Sequence, residues 1–113
     1  MKERERILLR LMQASDAIQN IQLDLNKLPW DSDKPLVTLT RPDIMRVLGR
    51  FINEELNENE VEAWANAIEG REDIDFEIGY EELLSDVIHQ LANPLLTVRL
   101  TSTSAHEMLD SLG

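Results

Sequence analysis

The chain has 113 residues, no cysteine, 42% hydrophobic and 29% charged residues, which fits one globular domain and excludes disulfides and thiolate metal sites. Its 22 acids against 11 bases give a net charge of −11, which argues against nucleic acid as a direct partner. No apolar run approaches the ~18 residues of a membrane span, and the opening MKERERILLRLMQASD lacks a small-residue cleavage site, so a cytoplasmic chain with no membrane contact is expected.

Ile7, Leu11, Ala14, Ile18, Ile21 and Leu25 recur in alternating steps of four and three, the stripe of an amphipathic helix and also a heptad seam. The spacing predicts one N-terminal helix over about 3–27, ended by Pro29, because no turn residue interrupts it. Its seam has two readings, packing into the bundle or pairing with a second copy through Ile7, Leu11, Ile18 and Ile21. Residues 29–39 carry two prolines and an Asp-Ser-Asp-Lys patch and read as a loop; Trp30 within it is a plug over the bundle end or a partner-facing anchor. The short stretch 36–39 is extended at most, since no second strand is evident to pair with it.

Thr40, Pro42 and Asp43 open a helix carrying Ile44, Val47, Leu48, Phe51 and Ile52. Asn57 and Glu60 repeat the device before Val61, Trp64, Ala65 and Ile68, and Gly70 stops the run. Arg71 to Glu77 alternates acidic and apolar residues as a connector, again without a visible strand partner. A helix follows from about Gly79 to Ala92, then the apolar linker LLTVRL, then a short helix capped by Thr103. The expected architecture is all-α, a single domain over 1–113. It has four main helices plus a short C-terminal helix packed as a bundle, with bundle helices across 40–112.

Charge is divided unevenly along this plan. Residues 1–50 hold nine bases and seven acids, net +2, whereas residues 51–113 hold two bases and fifteen acids, net −13. Thirteen acids fall between Glu54 and Asp86 with only Arg71 among them, and they lack basic partners at helical spacing. A solvated face that confers solubility is one reading; an electrostatic docking face for a basic protein is the other. The acids singled out for docking are Glu58, Glu62, Glu69, Glu72, Asp73 and Asp75, with Trp64 as support or anchor.

Catalytic chemistry finds little footing. Calcium loops need a ligand order with a central glycine that neither Asp31-Ser32-Asp33 nor the Glu72–Glu77 run supplies. Glu81 and Glu82 lie seven or eight residues from His89 rather than three, so no di-iron helix motif is present. No serine sits in a Gly-x-Ser-x-Gly elbow and the four glycines never cluster, so no catalytic residue, metal or cofactor is expected.

The stretch from Leu28 to Glu77, with Leu-Pro-Trp-Asp-Ser-Asp before one helix and Glu-Val-Glu-Ala-Trp-Ala-Asn on the next, resembles a family of small uncharacterised bacterial proteins. An apolar helix, Glu-Leu, a capped turn and Glu-Val-Glu-Ala-Trp-Ala are similar to colicin-D-type immunity proteins. That resemblance implies a small helical bundle that covers the basic active-site surface of a nuclease toxin. The reading that emerges is a non-enzymatic acidic module that binds a basic protein, in the manner of an immunity or antitoxin-like inhibitor. Its alternative is a structural or regulatory homodimer formed through the N-terminal helix.

Overall fold

The computed structural model of the protein describes residues 3–27 and 35–113; the reading of Trp30 and most of its loop lies outside the described residues. Among the described residues the chain is mostly helical. In order it forms α1 (Glu3–Gln13), α2 (Ile18–Leu25), β1 (Val37–Leu39), α3 (Arg41–Ile52), α4 (Glu58–Ile68), β2 (Ile74–Phe76), α5 (Glu81–Ala92) and α6 (Ser102–Leu112).

The N-terminal stripe makes two helices rather than one. After α1, Ser15 N donates to Arg10 O (3.2 Å) and Ala14 N to Leu11 O (3.1 Å), the bonding of a Schellman turn. That turn requires a left-handed residue, and Ala14 takes it with φ of 48°. Arg10 then grips the corner, donating to Asp16 and to Asp24, each at 2.7 Å. A straight helix over 3–25 would run about 35 Å, nearly the 38 Å length of the whole molecule. Folding it back brings both halves of the stripe onto one core, and Ile7, Leu11, Ile18 and Ile21 are all buried there. This burial outweighs the ~1 kcal/mol of a left-handed alanine.

The extended stretch at 37–39 also has its partner. It pairs in parallel with residues 74–76 in the register Val37 with Ile74, Thr38 with Asp75 and Leu39 with Phe76. The partner was invisible locally because two helices, α3 and α4, intervene between the strands. Thr38 Oγ1 donates to Asp75 (2.7 Å) on the exposed side, while Val37 and Leu39 face the core.

Side-chain capping sets the starts of α3, α4 and α6. Thr40 N donates to Asp43 (3.0 Å) at α3. At α4, Asn57 and Glu60 exchange backbone-to-side-chain bonds of 2.8 and 3.0 Å. The last helix is capped by Thr101 with Ser104, two residues earlier than the Thr103 start expected from sequence. The buried side chains form one continuous cluster. Trp64 belongs to it, fully buried, and its Nε1 donates to Leu11 O at 2.6 Å, a second donor to that carbonyl beside Ala14 N at the end of α1.

Candidate functional site

The structure sorts the acids of the second half by what opposes them. Asp73, at the entry to β2, is only 2% exposed; Arg71 meets it with a two-pronged contact at 2.9 and 3.0 Å and Arg4 of α1 approaches to 3.6 Å. Glu77 closes the other end of the strand. It accepts from the Arg41 backbone N–H (3.0 Å) and from its guanidinium (3.2 and 3.1 Å), so a carboxylate caps the start of α3. Those Arg41 hydrogen bonds lower the Glu77 pKa and raise that of Arg41, whose guanidinium also stacks 3.7 Å above the Tyr80 ring.

Two of the six docking candidates carry no partner at all. Among the described residues the carboxylates of Glu62 on α4 and Glu72 in the turn after it make no hydrogen bond or ion pair, and neither do those of Glu54, Glu82 and Asp86. Glu58 and Glu69 are bonded at the surface. Arg99 forks Glu58 at 3.1 and 3.0 Å and draws its pKa down. Glu69, just past α4, lies 2.7 Å from His89 Nδ1 and accepts from Asn93 Nδ2 at 3.2 Å. Asp75 accepts from Thr38 as described.

Three sequence expectations change on this geometry. Asp73 and Trp64 are core groups, so neither offers a docking contact; Trp64 is support, not anchor. Ile7, Leu11, Ile18 and Ile21 are satisfied within one chain by the fold-back of α1 and α2, which removes the proposed dimer seam. Asp73, Glu77 and Glu58 do have basic partners, but these are Arg4, Arg41 and Arg99 from distant segments, with Arg71 beside Asp73, rather than residues of the same helix.

Glu81 and Glu82 occupy the first turn of α5 and His89 its last. Seven or eight residues of helix separate them by about 11 Å along the axis, too far to share one metal ion or one proton. Among the described residues no group of three or more His, Asp or Glu side chains is arranged to hold a metal. No described helix is long and apolar enough to cross a membrane.

The surface features that sequence reasoning missed lie where α3 ends. Its last turn repeats the α1 device: Glu55 N donates to Arg50 O (2.8 Å), Glu54 N to Phe51 O (3.0 Å), and Glu54 is left-handed with φ of 65°. Beyond it a groove of about 670 Å³ opens between the end of α3, the start of α4 and the residues entering α6. Phe51, Ile52, Leu56 and Leu100 supply its apolar lining, and Glu54, Glu58 and Glu60 its acidic one. The connector leading to it exposes Leu95, Leu96 and Val98 at 99, 80 and 52%. The LLTVRL run was legible as apolar, but nothing in the sequence showed that Leu95, Leu96 and Val98 stay outside the core while Leu100 enters it. Searches against protein-family models, curated proteins and solved structures find no match for this chain.

Proposed function

We propose that this protein is a non-enzymatic binding module whose acidic second half docks a basic protein. An immunity- or antitoxin-like inhibitor acting in the cytoplasm is the specific form. One observation carries the reading: after the fold has paired the acids that hold it together, Glu54, Glu62, Glu72, Glu82 and Asp86 are left without a cation among the described residues. Carboxylates in this condition repel one another and gain from an external arginine or lysine surface. On a nuclease, such a surface would otherwise meet nucleic-acid phosphates. The sequence resemblance to colicin-D-type immunity proteins points to the same class of target.

The test compares tagged wild type with a triple reversal, Glu54→Lys, Glu62→Lys and Glu72→Lys, in a pull-down from lysate of the source cells. Retention of a basic protein at low salt, its release at high salt and its loss in the triple variant support the proposal. With the retained partner purified, the reversal should slow association by about tenfold and flatten its salt dependence. A partner that binds the reversed protein equally well overturns it.

A further inference from the structure

We infer that the groove between the end of α3, the start of α4 and the entry to α6 is a docking cleft for a basic amphipathic segment of the partner, with Arg99 holding the partner cation's place until it arrives. The inference rests on the docking reading above and adds where the partner inserts and what it must carry.

Phe51 and Ile52 are half-buried, while Leu56 and Leu100 beneath are buried, so the groove has an apolar floor with its two aromatic and branched side chains still partly in water. Around that floor stand Glu54, Glu58 and Glu60, against one cation among the described lining residues, Arg99. A volume of about 670 Å³ is within the range of sites that enclose several side-chain groups. Apolar floor and acidic rim together select a ligand that is apolar on one side and cationic on the other.

Arg99 shows how such a cation would be received. Its guanidinium forks Glu58 in plain view of solvent, with the two side chains 76 and 41% exposed. An exposed pair of this kind contributes little to folding, so exchanging it for an incoming guanidinium costs little. The neighbouring Leu100 is already inserted in the floor, and Val98, Leu96 and Leu95 of the connector that precedes it are exposed. Large apolar side chains left in water on the segment that enters an open groove favour contact with a partner.

The occupant is a different protein, not a second copy. Among the described residues the bases of α1 lie on a helix whose apolar face is already in the core, and Arg41 and Arg50 are engaged at Glu77 and at the Ala14 carbonyl. No described helix therefore offers an exposed apolar face flanked by free cations. Nucleic acid and anionic lipid are disfavoured by the carboxylate rim.

The experiment titrates the ¹⁵N-labelled full chain with two probes: a helical Leu/Lys peptide that segregates leucine and lysine on opposite faces, and an oligolysine of equal length. The expected result is that the amphipathic peptide binds about tenfold tighter than oligolysine, with amide shifts concentrated at 51–60 and 99–102. Ile52→Ser should weaken the amphipathic peptide about fivefold and leave oligolysine unchanged, with circular dichroism confirming the fold. Glu54→Gln, on an exposed turn, should weaken both, and Arg99→Ala should tighten both by releasing Glu58. Equal affinity for the two probes, shifts located elsewhere, or weaker binding by Arg99→Ala overturns the cleft. So does self-association that Ile52→Ser abolishes, since the groove would then hold a second copy. If the pull-down partner depends on Glu62 and Glu72 but not on the groove variants, the cleft fails while the docking function stands. If neither probe binds and no partner is retained, both fail.

Discussion

The same chemical contact, an arginine fork on a carboxylate, recurs among the described residues at Asp73, Glu77 and Glu58, and the forks on Asp73 and Glu58 have different consequences. At the strand entry, Arg71 closes on an Asp73 that is 2% exposed, with Arg4 adding a third charge from α1. At the groove, Arg99 closes on Glu58 with both groups in water. Burial is the difference. A buried carboxylate stripped of its partners has no water to replace them, whereas an exposed one is solvated at once. The first fork is therefore part of the fold, and the second is available for exchange.

The largest break of this comparison is Asp73→Ala, which leaves two arginines facing an apolar strand end. It should cost about 3 kcal/mol in urea unfolding, while Glu58→Gln should leave the urea midpoint where it is. Equal costs would erase the distinction between the two forks. Trp64→Phe comes next, at about 2 kcal/mol, because it removes indole volume and leaves the Leu11 carbonyl without its 2.6 Å donor.

Smaller and opposite in sign is Glu54→Gly. The left-handed conformation that glutamate tolerates poorly is natural for glycine, and the side chain is exposed with no partner, so a gain of about 1 kcal/mol in unfolding free energy is expected. The corresponding change at Ala14 should gain less, since its methyl group is buried.

The smallest effects are those of pH. Glu77, Asp16 and Glu58 all have lowered pKa values: Glu77 through its hydrogen bonds from Arg41, Asp16 through the Ala17 N–H and then Arg10, and Glu58 through Arg99. A depressed carboxylate contributes stability that is whole above its unfolded pKa and is lost as pH falls through the lower folded value, a contribution that solvent reduces to almost nothing at the exposed Glu58–Arg99 pair. The urea midpoint should thus hold between pH 7 and 5 and decline below about pH 4. Glu77→Gln should shallow that decline, and an unchanged acid limb would show that the Arg41 fork adds nothing to the fold.

Much of the helical plan was legible because it depends on neighbours in sequence. The Thr40–Asp43 and Asn57–Glu60 caps lie three residues apart, and the stripes of α3, α4 and α5 repeat within two turns. The break at Ala14 was not legible, because a Schellman turn announces itself by glycine and here the left-handed residue is alanine. The strand pair was missed because its halves are 37 residues apart and each is only three residues long. Of the acids marked for docking, Glu62 and Glu72 keep an open carboxylate, whereas Asp73 is withdrawn into the core by arginines that include one from the far end of the chain.

What the sequence by itself determined is local: which segments are helical, where most of them start, and that the second half is acidic. Those properties follow from side-chain periodicity, capping chemistry and charge, which act over a few residues. Only the tertiary structure decided that the N-terminal stripe folds back on itself, that two distant triplets make a sheet, and which carboxylates are neutralised. Each of these depends on groups brought together from far along the chain, and on whether water remains beside them when they meet.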